Sequence, residues 1–370
     1  MSKPGNYGHQ LYIVKPRVWR KLRKNNLIDR RYKSRARSIT WMSTISAPLQ
    51  YLQSVCFDKK IKNFSLDGYP PLFILGHWRS GTTHLHYLLA KDPKFAFLTN
   101  FQTFIFNISF LSKKKVRDLT RFFIPKTRPQ DNVVLSPNLP AEEEQPFCTT
   151  SSRSGILSFF FPKNLEYFNK YNVFKNITAE EKRAWQDDYM FILKGIALFN
   201  NNKNLLLKNP HNTGRVKELL ELFPDAKFIF LHRDPYVVYQ STRHLFNKLV
   251  KTQFLQHLDD NELHQFVMHL SRETLQKYVD EKHLIPKGNL IEVAYTDLDE
   301  NPMAVMRDIY EKLQLPGFEA ASVPMKAYLE TQHNYRKNKF SSLPKNVQKD
   351  IEKELSFFFE EYNYKKNAGL

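Results

Sequence analysis

A turn between a strand and a helix is the feature that most constrains the fold of this chain. Residues 71–89 read PLFILGHWRSGTTHLHYLL, so a short apolar run precedes the turn 76–83, and an amphipathic helical pattern follows it. A turn in this position directs its backbone N–H groups, and the positive end of the helix dipole, at an anion. The segment therefore predicts a phosphate or sulfate site at the carboxyl end of a buried strand.

The two glycines of this turn have the spacing of a P-loop, but the P-loop lysine is absent. Gly76 and Gly81 keep the Gly-x4-Gly spacing, and Thr82 stands where such loops have lysine. That lysine contacts the β- and γ-phosphates of nucleoside triphosphates. Here the cation is Arg79, whose guanidinium can hold a phosphate or sulfate through two hydrogen bonds. The turn favours a donor with fewer phosphates than ATP, and a P-loop kinase or hydrolase is the alternative.

Apolar runs and helical patterns alternate along the chain. The predicted strands cover 71–76, 204–209, 227–233 and 289–295, and the predicted helices cover 83–92, 177–200, 213–223, 236–250 and roughly 261–285. Thr178 followed by Glu181 predicts a capping box at the start of the second of these helices. The alternation predicts an α/β fold in which helices cover both faces of a mainly parallel sheet, with ligands at the carboxyl ends of the strands.

Two segments depart from this alternation. Residues 1–69 form a basic N-terminal extension, and residues 70–370 form the predicted α/β domain. Within that domain, residues 95–176 read as an insertion, with six phenylalanines between positions 95 and 110 and a proline-rich stretch after them. Because loops and insertions on a rigid scaffold commonly carry binding residues, we expect this insertion to recognise the substrate.

The N-terminal forty residues carry most of the excess charge. The formal net charge of the chain is +19, and residues 1–40 contribute +11 from twelve Lys and Arg and one Asp. Tyr12, Trp19 and Leu22 lie among these cations, which predicts either peripheral contact with an anionic membrane or a solvated basic face. Nucleic acid is disfavoured because no zinc-finger or RNA-recognition pattern accompanies the charge. A non-catalytic basic module that binds membranes or nucleic acid is a further alternative to an enzyme.

Cysteine usage and hydropathy bear on the compartment. The chain has two cysteines among 370 residues, and its first twenty residues lack the apolar run of a signal peptide. The uncharged stretches 38–57 and 95–112 contain too many polar residues for a membrane span. We therefore expect a cytoplasmic protein that can associate peripherally with a membrane.

A second pair of anion-binding residues follows a later strand. Arg233 ends the apolar run KFIFLHR, and Ser241 comes eight residues later inside the predicted helix. A cation at the carboxyl end of a strand and a hydroxyl in the next helix can hold another phosphate beside the same cleft.

Both motifs resemble those of the sulfotransferases that use 3′-phosphoadenosine 5′-phosphosulfate, in particular a bacterial branch whose loop reads Arg-Ser-Gly-Thr-Thr. The segment GHWRSGTTHLH is similar to the 5′-phosphosulfate loop, FPDAKFIFLHRDPYVVYQST is similar to the 3′-phosphate motif, and the resemblance covers most of residues 70–340. It implies a P-loop-like α/β/α fold, that donor, a hydroxyl acceptor and no metal. The implied donor-binding residues are Arg79, Ser80, Gly81, Thr82, Thr83, Arg233, Ser241, Tyr295, Arg336 and Lys337.

Sulfuryl transfer also needs groups that offset the leaving charge and a base for the acceptor proton. Arg79 and Lys208 are the candidates for the first role. The segment LPAEEEQPF resembles the acidic motif of this branch and favours Glu142 and Glu144 as the base, with His211 as the alternative.

The acceptor and the absence of a metal are predicted from composition and spacing. Thirty phenylalanines and the basic extension favour an apolar alcohol such as a sterol or a hydroxylated lipid. His84 and His86 are two residues apart on a predicted helix and therefore point to different faces, so we expect no metal site.

Overall fold

The computed structural model describes residues 8–111, 136–201, 204–332 and 342–367. The chain forms two compact units. The sheet unit comprises Gly68–Ala96, Lys203–Phe246 and Asp260–Leu370, and the helical unit comprises Met1–Asp67, Phe97–Asn202 and Asn247–Asp259. Arg336 and Lys337, two of the predicted donor-binding residues, lie outside the described residues.

The sheet unit is built on five strands that all pair in parallel, in the order β2-β3-β1-β4-β5. The strands are β1 (Leu72–Leu75), β2 (Phe95–Ala96), β3 (Asn204–Lys208), β4 (Lys227–His232) and β5 (Leu290–Ala294). The four predicted strands and the α/β fold class are confirmed. The sequence pattern did not predict β2, because two residues are too few to show an alternation or an apolar run.

The strand order reverses at β1. From β1 the chain continues to β2 and β3 on one side, and then crosses to β4 and β5 on the other. Leu75, the last residue of β1, pairs with Phe230 of β4. In open parallel sheets, ligands bind at the carboxyl ends of strands where the order reverses. The turn after β1 and the segment after β4 therefore share one edge of the sheet.

Helices lie between the strands of the sheet unit and after its last strand, β5. They are α3 (Thr82–Leu89), α8 (Val216–Leu222), α9 (Pro235–Thr252), α10 (Asp260–Glu281), α11 (Tyr295–Glu300), α12 (Pro302–Lys312), α13 (Phe318–Glu330), α14 (Lys345–Glu354) and α15 (Ser356–Glu361). One apolar core joins strand residues such as Ile74 and Ile229 with Leu88 of α3 and Ile309 of α12. Burial of these side chains is the main favourable term that holds the helices on the sheet.

Helix α8 begins later than the sequence pattern predicted. Residues Pro210–Gly214 form a 3₁₀ turn, and the α-helix starts at Val216. The Asn209 side chain accepts a hydrogen bond from the backbone N–H of His211, at 3.1 Å, which caps the tighter turn. Local side-chain capping therefore competes with the α-helix at this position.

The helical unit contains the N-terminal extension and most of the predicted insertion. Its helices are α1 (Pro16–Asn25), α2 (Lys33–Lys62), α4 (Asn100–Ile105), α5 (Glu144–Thr150), α6 (Leu165–Val173) and α7 (Ala179–Phe199). The predicted capping box is present on α7, where Thr178 and Glu181 bond each other's backbone N–H groups. In the part of the chain that the structure describes, no helix combines the length and hydropathy needed to cross a membrane.

Candidate functional site

The turn 76–83 lies between β1 and α3, as the sequence predicted. Gly76, Arg79 and Gly81 have φ values of +145°, +72° and +101°. A Cβ atom on Gly81 would lie 2.3 Å from the Tyr295 ring, and one on Gly76 would lie 2.6 Å from the Leu231 carbonyl oxygen. Both positions therefore require glycine, because a side chain would collide with the neighbouring strand or ring.

Hydrogen bonds across the sheet edge hold this turn in place. The Thr213 hydroxyl accepts from the Gly76 N–H at 2.8 Å and lies 3.2 Å from the Gly76 carbonyl oxygen. Within the turn, the Ser80 hydroxyl donates to the carbonyl oxygen of His77 at 2.8 Å. Arg79 keeps its left-handed backbone although it is not glycine, a conformation that costs roughly 1 kcal/mol and needs such support.

The two sequence motifs meet at this edge. Arg79 Nε donates to the Ser241 hydroxyl at 2.9 Å, and Arg233 Nη1 donates to the Arg79 carbonyl oxygen at 3.3 Å. The Arg233 guanidinium also lies 4.0 Å from the centroid of the Tyr295 ring. The strand register explains this last contact, because His232 of β4 pairs with Ala294 of β5 and the next residues are Arg233 and Tyr295.

The donor set of the turn suits an anion. Arg79 and Arg233 are half-buried, Thr82 is buried, and Thr82 and Thr83 form the first turn of α3. Guanidinium and backbone N–H groups only donate hydrogen bonds, and the helix N-terminus adds partial positive charge. Asp234 instead caps α9, since its carboxylate accepts from the N–H groups of Tyr236 and Val237.

Lys208 and His211 lie at the end of the neighbouring strand β3. Lys208 is buried, and its Cα pairs with that of Ile74 in β1. His211 is buried in the 3₁₀ turn, with its ring centroid 4.8 Å from that of Trp78 in the turn 76–83. Burial, and secondarily the charge of Lys208, lowers the pKa of His86 well below its usual value. Both effects favour the neutral form of His86.

A second neutral histidine supports the turn from within. His77 is buried, its Nδ1 lies 2.8 Å from the Trp78 carbonyl oxygen, and its Nε2 lies 2.8 Å from the Ser271 hydroxyl. Burial lowers the pKa of His77 to about 4. No group of three or more His, Cys, Asp or Glu residues is placed to hold a metal ion within the described ranges.

The acidic motif lies in the helical unit. Glu144, the first residue of α5, is buried, and its Oε1 accepts from the Ser154 hydroxyl at 2.7 Å and from the Gly155 N–H at 3.0 Å. Burial, and secondarily the negative charge of Glu144, raises the pKa of the Cys148 thiol well above its usual value. Glu142 is half-buried.

The sequence pattern did not identify several residues that contact the turn 76–83 or the acidic motif. Thr213 fixes Gly76, Ser271 contacts His77, and Tyr189 donates to the buried carboxylate of Glu143 at 2.9 Å. The last pair is 46 residues apart in sequence and the first 137. Contacts at such separations leave no periodic signal in a single sequence.

The parallel sheet, with a turn after β1 whose donors suit an anion, indicates a class of protein, and comparison with known proteins identifies it. The profile of the sulfotransferase family matches residues 70–320. The chain therefore belongs to the sulfotransferase family and is an enzyme, a sulfotransferase.

Individual relatives agree with this assignment. The chain is 31% identical over 301 residues to the omega-hydroxy-beta-dihydromenaquinone-9 sulfotransferase Stf3 of Mycobacterium bovis, a match that covers 81% of this chain and 77% of that protein. The fold of the present chain is similar to that in the crystal structure of sulfotransferase STF9 from Mycobacterium avium. The TM-score is 0.72 and the identity 17%, over 98% of this chain and 99% of the other. Sulfotransferase STF1 from Mycobacterium tuberculosis gives TM-score 0.60 and 18% identity, over 84% of this chain and 82% of the other.

Proposed function

We propose that this sulfotransferase moves the sulfuryl group of 3′-phosphoadenosine 5′-phosphosulfate to the hydroxyl of an apolar, lipid-like alcohol. The observation that carries the donor is the convergence of Arg79, Ser241, Arg233 and Tyr295 on the turn after β1. Two guanidinium groups at a helix N-terminus suit a ligand with anionic groups at two positions. The same turn has threonine in place of the lysine that nucleoside triphosphates require.

Each part of the donor has proposed partners in this chain. Arg79, Ser80, Gly81, Thr82 and Thr83 hold the 5′-phosphosulfate. Arg233, Ser241 and Tyr295 take the 3′-phosphate side, together with Arg336 and Lys337, which lie outside the described residues. The donor supplies the sulfuryl group, and no metal is part of the proposal.

The chain's own residues carry the remaining chemistry. The acceptor oxygen forms a bond to sulfur, the bond from sulfur to the bridging oxygen breaks, and the nucleotide leaves with the negative charge. Arg79 and Lys208 offset that charge, as fixed donors commonly do in group transfer. The acceptor proton passes to a base, for which we propose Glu144, with Glu142 and His211 as alternatives.

The proposed acceptor is a hydroxylated lipid. The relative from Mycobacterium bovis is named as a sulfotransferase of omega-hydroxy-beta-dihydromenaquinone-9, a hydroxylated menaquinone, which supports this choice. The phenylalanines supply weaker support, because Phe159, Phe160 and Phe161 are buried in the core of the helical unit. For a cytoplasmic enzyme with such an acceptor, we further propose peripheral contact between residues 1–40 and an anionic membrane.

The donor is tested by calorimetric titration of 3′,5′-diphosphoadenosine, with and without a chelator, beside Mg-ATP in the same buffer. We expect Mg²⁺-independent binding of the diphosphoadenosine. Arg233→Ala should weaken it by about 1.5–3 kcal/mol, or roughly 10- to 150-fold, as for the loss of a charged hydrogen bond.

The matched control is Arg307→Ala, since Arg307 also lies over an aromatic ring, 4.7 Å from the centroid of Phe318, but on α12. Its affinity for the diphosphoadenosine should equal that of the unaltered protein. Binding of Mg-ATP alone would replace the proposed donor with a nucleoside triphosphate, and equal losses in both variants would remove Arg233 from the site.

A further inference from the structure

Helix α2 presents an apolar face to solvent. Trp41, Ile45, Leu49, Leu52 and Val55 are 49–64% exposed, and we call these five residues the apolar face of α2. Their spacing of four, four, three and three residues places them on one side of a helix. Contiguous exposed apolar residues mark interaction surfaces, whereas single ones do not.

Between residues 43 and 53, the opposite side of α2 is polar and buried. Ser43, Ser46, Gln50 and Gln53 are at most 6% exposed. The Ser43 hydroxyl donates to the Val14 carbonyl oxygen at 2.8 Å, and Gln53 donates to the Phe106 carbonyl oxygen at 2.9 Å. Gln53 also accepts from the N–H of Phe110 at 2.8 Å. These bonds set the rotation of α2 about its axis, so its apolar face is held outward.

Basic residues lie at both ends of the apolar face of α2. Residues 38–57 carry no charge, Lys33 and Arg37 precede them, and Lys59, Lys60 and Lys62 follow. Helix α1 adds Arg20, Arg23 and Lys24 near the N-terminal end of α2. There, Arg23, Lys33 and Arg37 line a groove together with Trp41. Asp58, the acidic residue of α2, accepts a hydrogen bond from the Ser54 hydroxyl.

We infer that the apolar face of α2 inserts into the headgroup–acyl boundary of an anionic lipid bilayer, with the flanking cations at the phosphates. Apolar side chains between two basic clusters match such a boundary, which is apolar inside and negatively charged at its surface. A second copy of the chain is a poorer occupant. Two α2 helices would bring lysines and arginines together whether they paired parallel or antiparallel.

This inference deepens the membrane contact proposed above, because it places the inserted residues in 41–55, beyond the basic segment 1–40. It also puts an enzyme proposed to act on a lipid at the surface that holds its acceptor. It is independent of the donor, so the experiments contain no nucleotide and their failure leaves the proposed donor untouched.

Tryptophan fluorescence reads the insertion directly. Of the four tryptophans, Trp19, Trp78 and Trp185 are at most 6% exposed and Trp41 is 64% exposed. Vesicles of phosphatidylcholine with about 30% phosphatidylglycerol, carrying brominated acyl chains, should therefore quench Trp41 of the full chain. Trp41→Phe should remove that quenching. Absence of quenching in the unaltered protein would overturn the inference.

Vesicle flotation measures the contributions of the apolar face of α2 and of the flanking cations separately. Ile45→Ser/Leu52→Ser should weaken binding to the same vesicles by about tenfold or more through lost apolar burial. Lys59→Gln/Lys60→Gln should weaken it by about tenfold on anionic vesicles, with no effect on pure phosphatidylcholine. The matched controls are Leu284→Ser/Val323→Ser and Lys287→Gln/Lys312→Gln, which alter exposed residues of the sheet unit and should leave binding unchanged.

Two outcomes would overturn the assignment to a membrane. The first is equal vesicle binding by Ile45→Ser/Leu52→Ser and its control. The second is a concentration-dependent dimer in sedimentation that the same variant abolishes while vesicles do not bind, which would assign the face to a second copy. An unchanged circular dichroism spectrum and an unchanged thermal unfolding midpoint would show that each variant is folded.

Discussion

The core of the sheet unit and helix α2 of the helical unit place polar and apolar side chains in opposite ways. In the sheet unit the apolar residues of the strands form the core, and the cations Arg79 and Arg233 gather where strands end. In the helical unit, α2 buries serine and glutamine and exposes Trp41, Ile45 and Leu52. The first arrangement follows from local sequence pattern. The second depends on backbone partners that only the folded chain supplies, which is why exposed apolar residues there indicate a surface with a partner.

The largest expected effect concerns which unit supplies the base. Glu144→Gln in the helical unit should lower turnover by about 10²- to 10⁴-fold, because general-base catalysis contributes that much. Affinity for 3′,5′-diphosphoadenosine should be unchanged, since the proposed role of Glu144 is to accept the acceptor's proton and not to bind the nucleotide. Single-turnover assays and calorimetry measure the two quantities separately.

The comparison variant is His211→Asn, in the sheet unit, for which we expect a smaller loss of turnover. Glu180→Gln, an exposed carboxylate at the start of α7, is the control and should retain full activity. If His211→Asn loses more than Glu144→Gln, and with it the acid limb of the pH–rate profile, the base lies in the sheet unit.

The next largest effect is expected from adding a methyl group to the turn 76–83 of the sheet unit. Gly81→Ala adds a Cβ at a φ of +101°, 2.3 Å from the Tyr295 ring. We expect a loss of donor affinity of at least about tenfold and a destabilisation of a few kcal/mol, from backbone strain and the clash together.

Gly288→Ala is the matched control because Gly288 has a φ of +90° and nothing within 4 Å of its added Cβ. It should cost about 1–2 kcal/mol of stability and leave donor affinity unchanged. Equal losses of donor affinity in the two variants would show that the loss comes from general destabilisation and not from a change in the turn.

The smallest effect is a pH dependence of stability that both units share. Burial lowers the pKa of His9 in the helical unit to about 3 and that of His77 in the sheet unit to about 4, from 6.5. Between about pH 6.5 and the lowered pKa values, the unfolded chain binds protons that the folded chain excludes. The free energy of unfolding should therefore decrease as the pH is lowered through that window, by up to about 1.4 kcal/mol per pH unit for each histidine.

Urea unfolding at about pH 7, 6 and 5 measures this slope. His9→Gln and His77→Gln should each reduce this slope by the contribution of one titrating proton. Each substitution also removes a buried hydrogen bond and therefore lowers stability at every pH. A slope that neither substitution changes would show that other groups carry the acid sensitivity.

The sequence predicted the elements whose signals are local. The four longer strands, the capping box of Thr178 and the turn between β1 and α3 each depend on residues within one short segment, and the structure confirms them. The two-residue strand β2 and the 30-residue helix α2 were not predicted. The first is too short to show a pattern, and the second lacks the buried apolar stripe by which amphipathic helices are recognised.

By itself, the sequence determined the parallel α/β scheme, the glycines of the turn and the residue types proposed to bind an anion, because each depends on neighbours along the chain. Only the tertiary structure decided that Arg79 contacts Ser241, 162 residues away, and that Thr213 holds Gly76. It also decided which side of α2 faces water. These outcomes depend on the pairing of polar groups far apart in sequence, since a buried donor or acceptor must find a partner wherever the fold provides one.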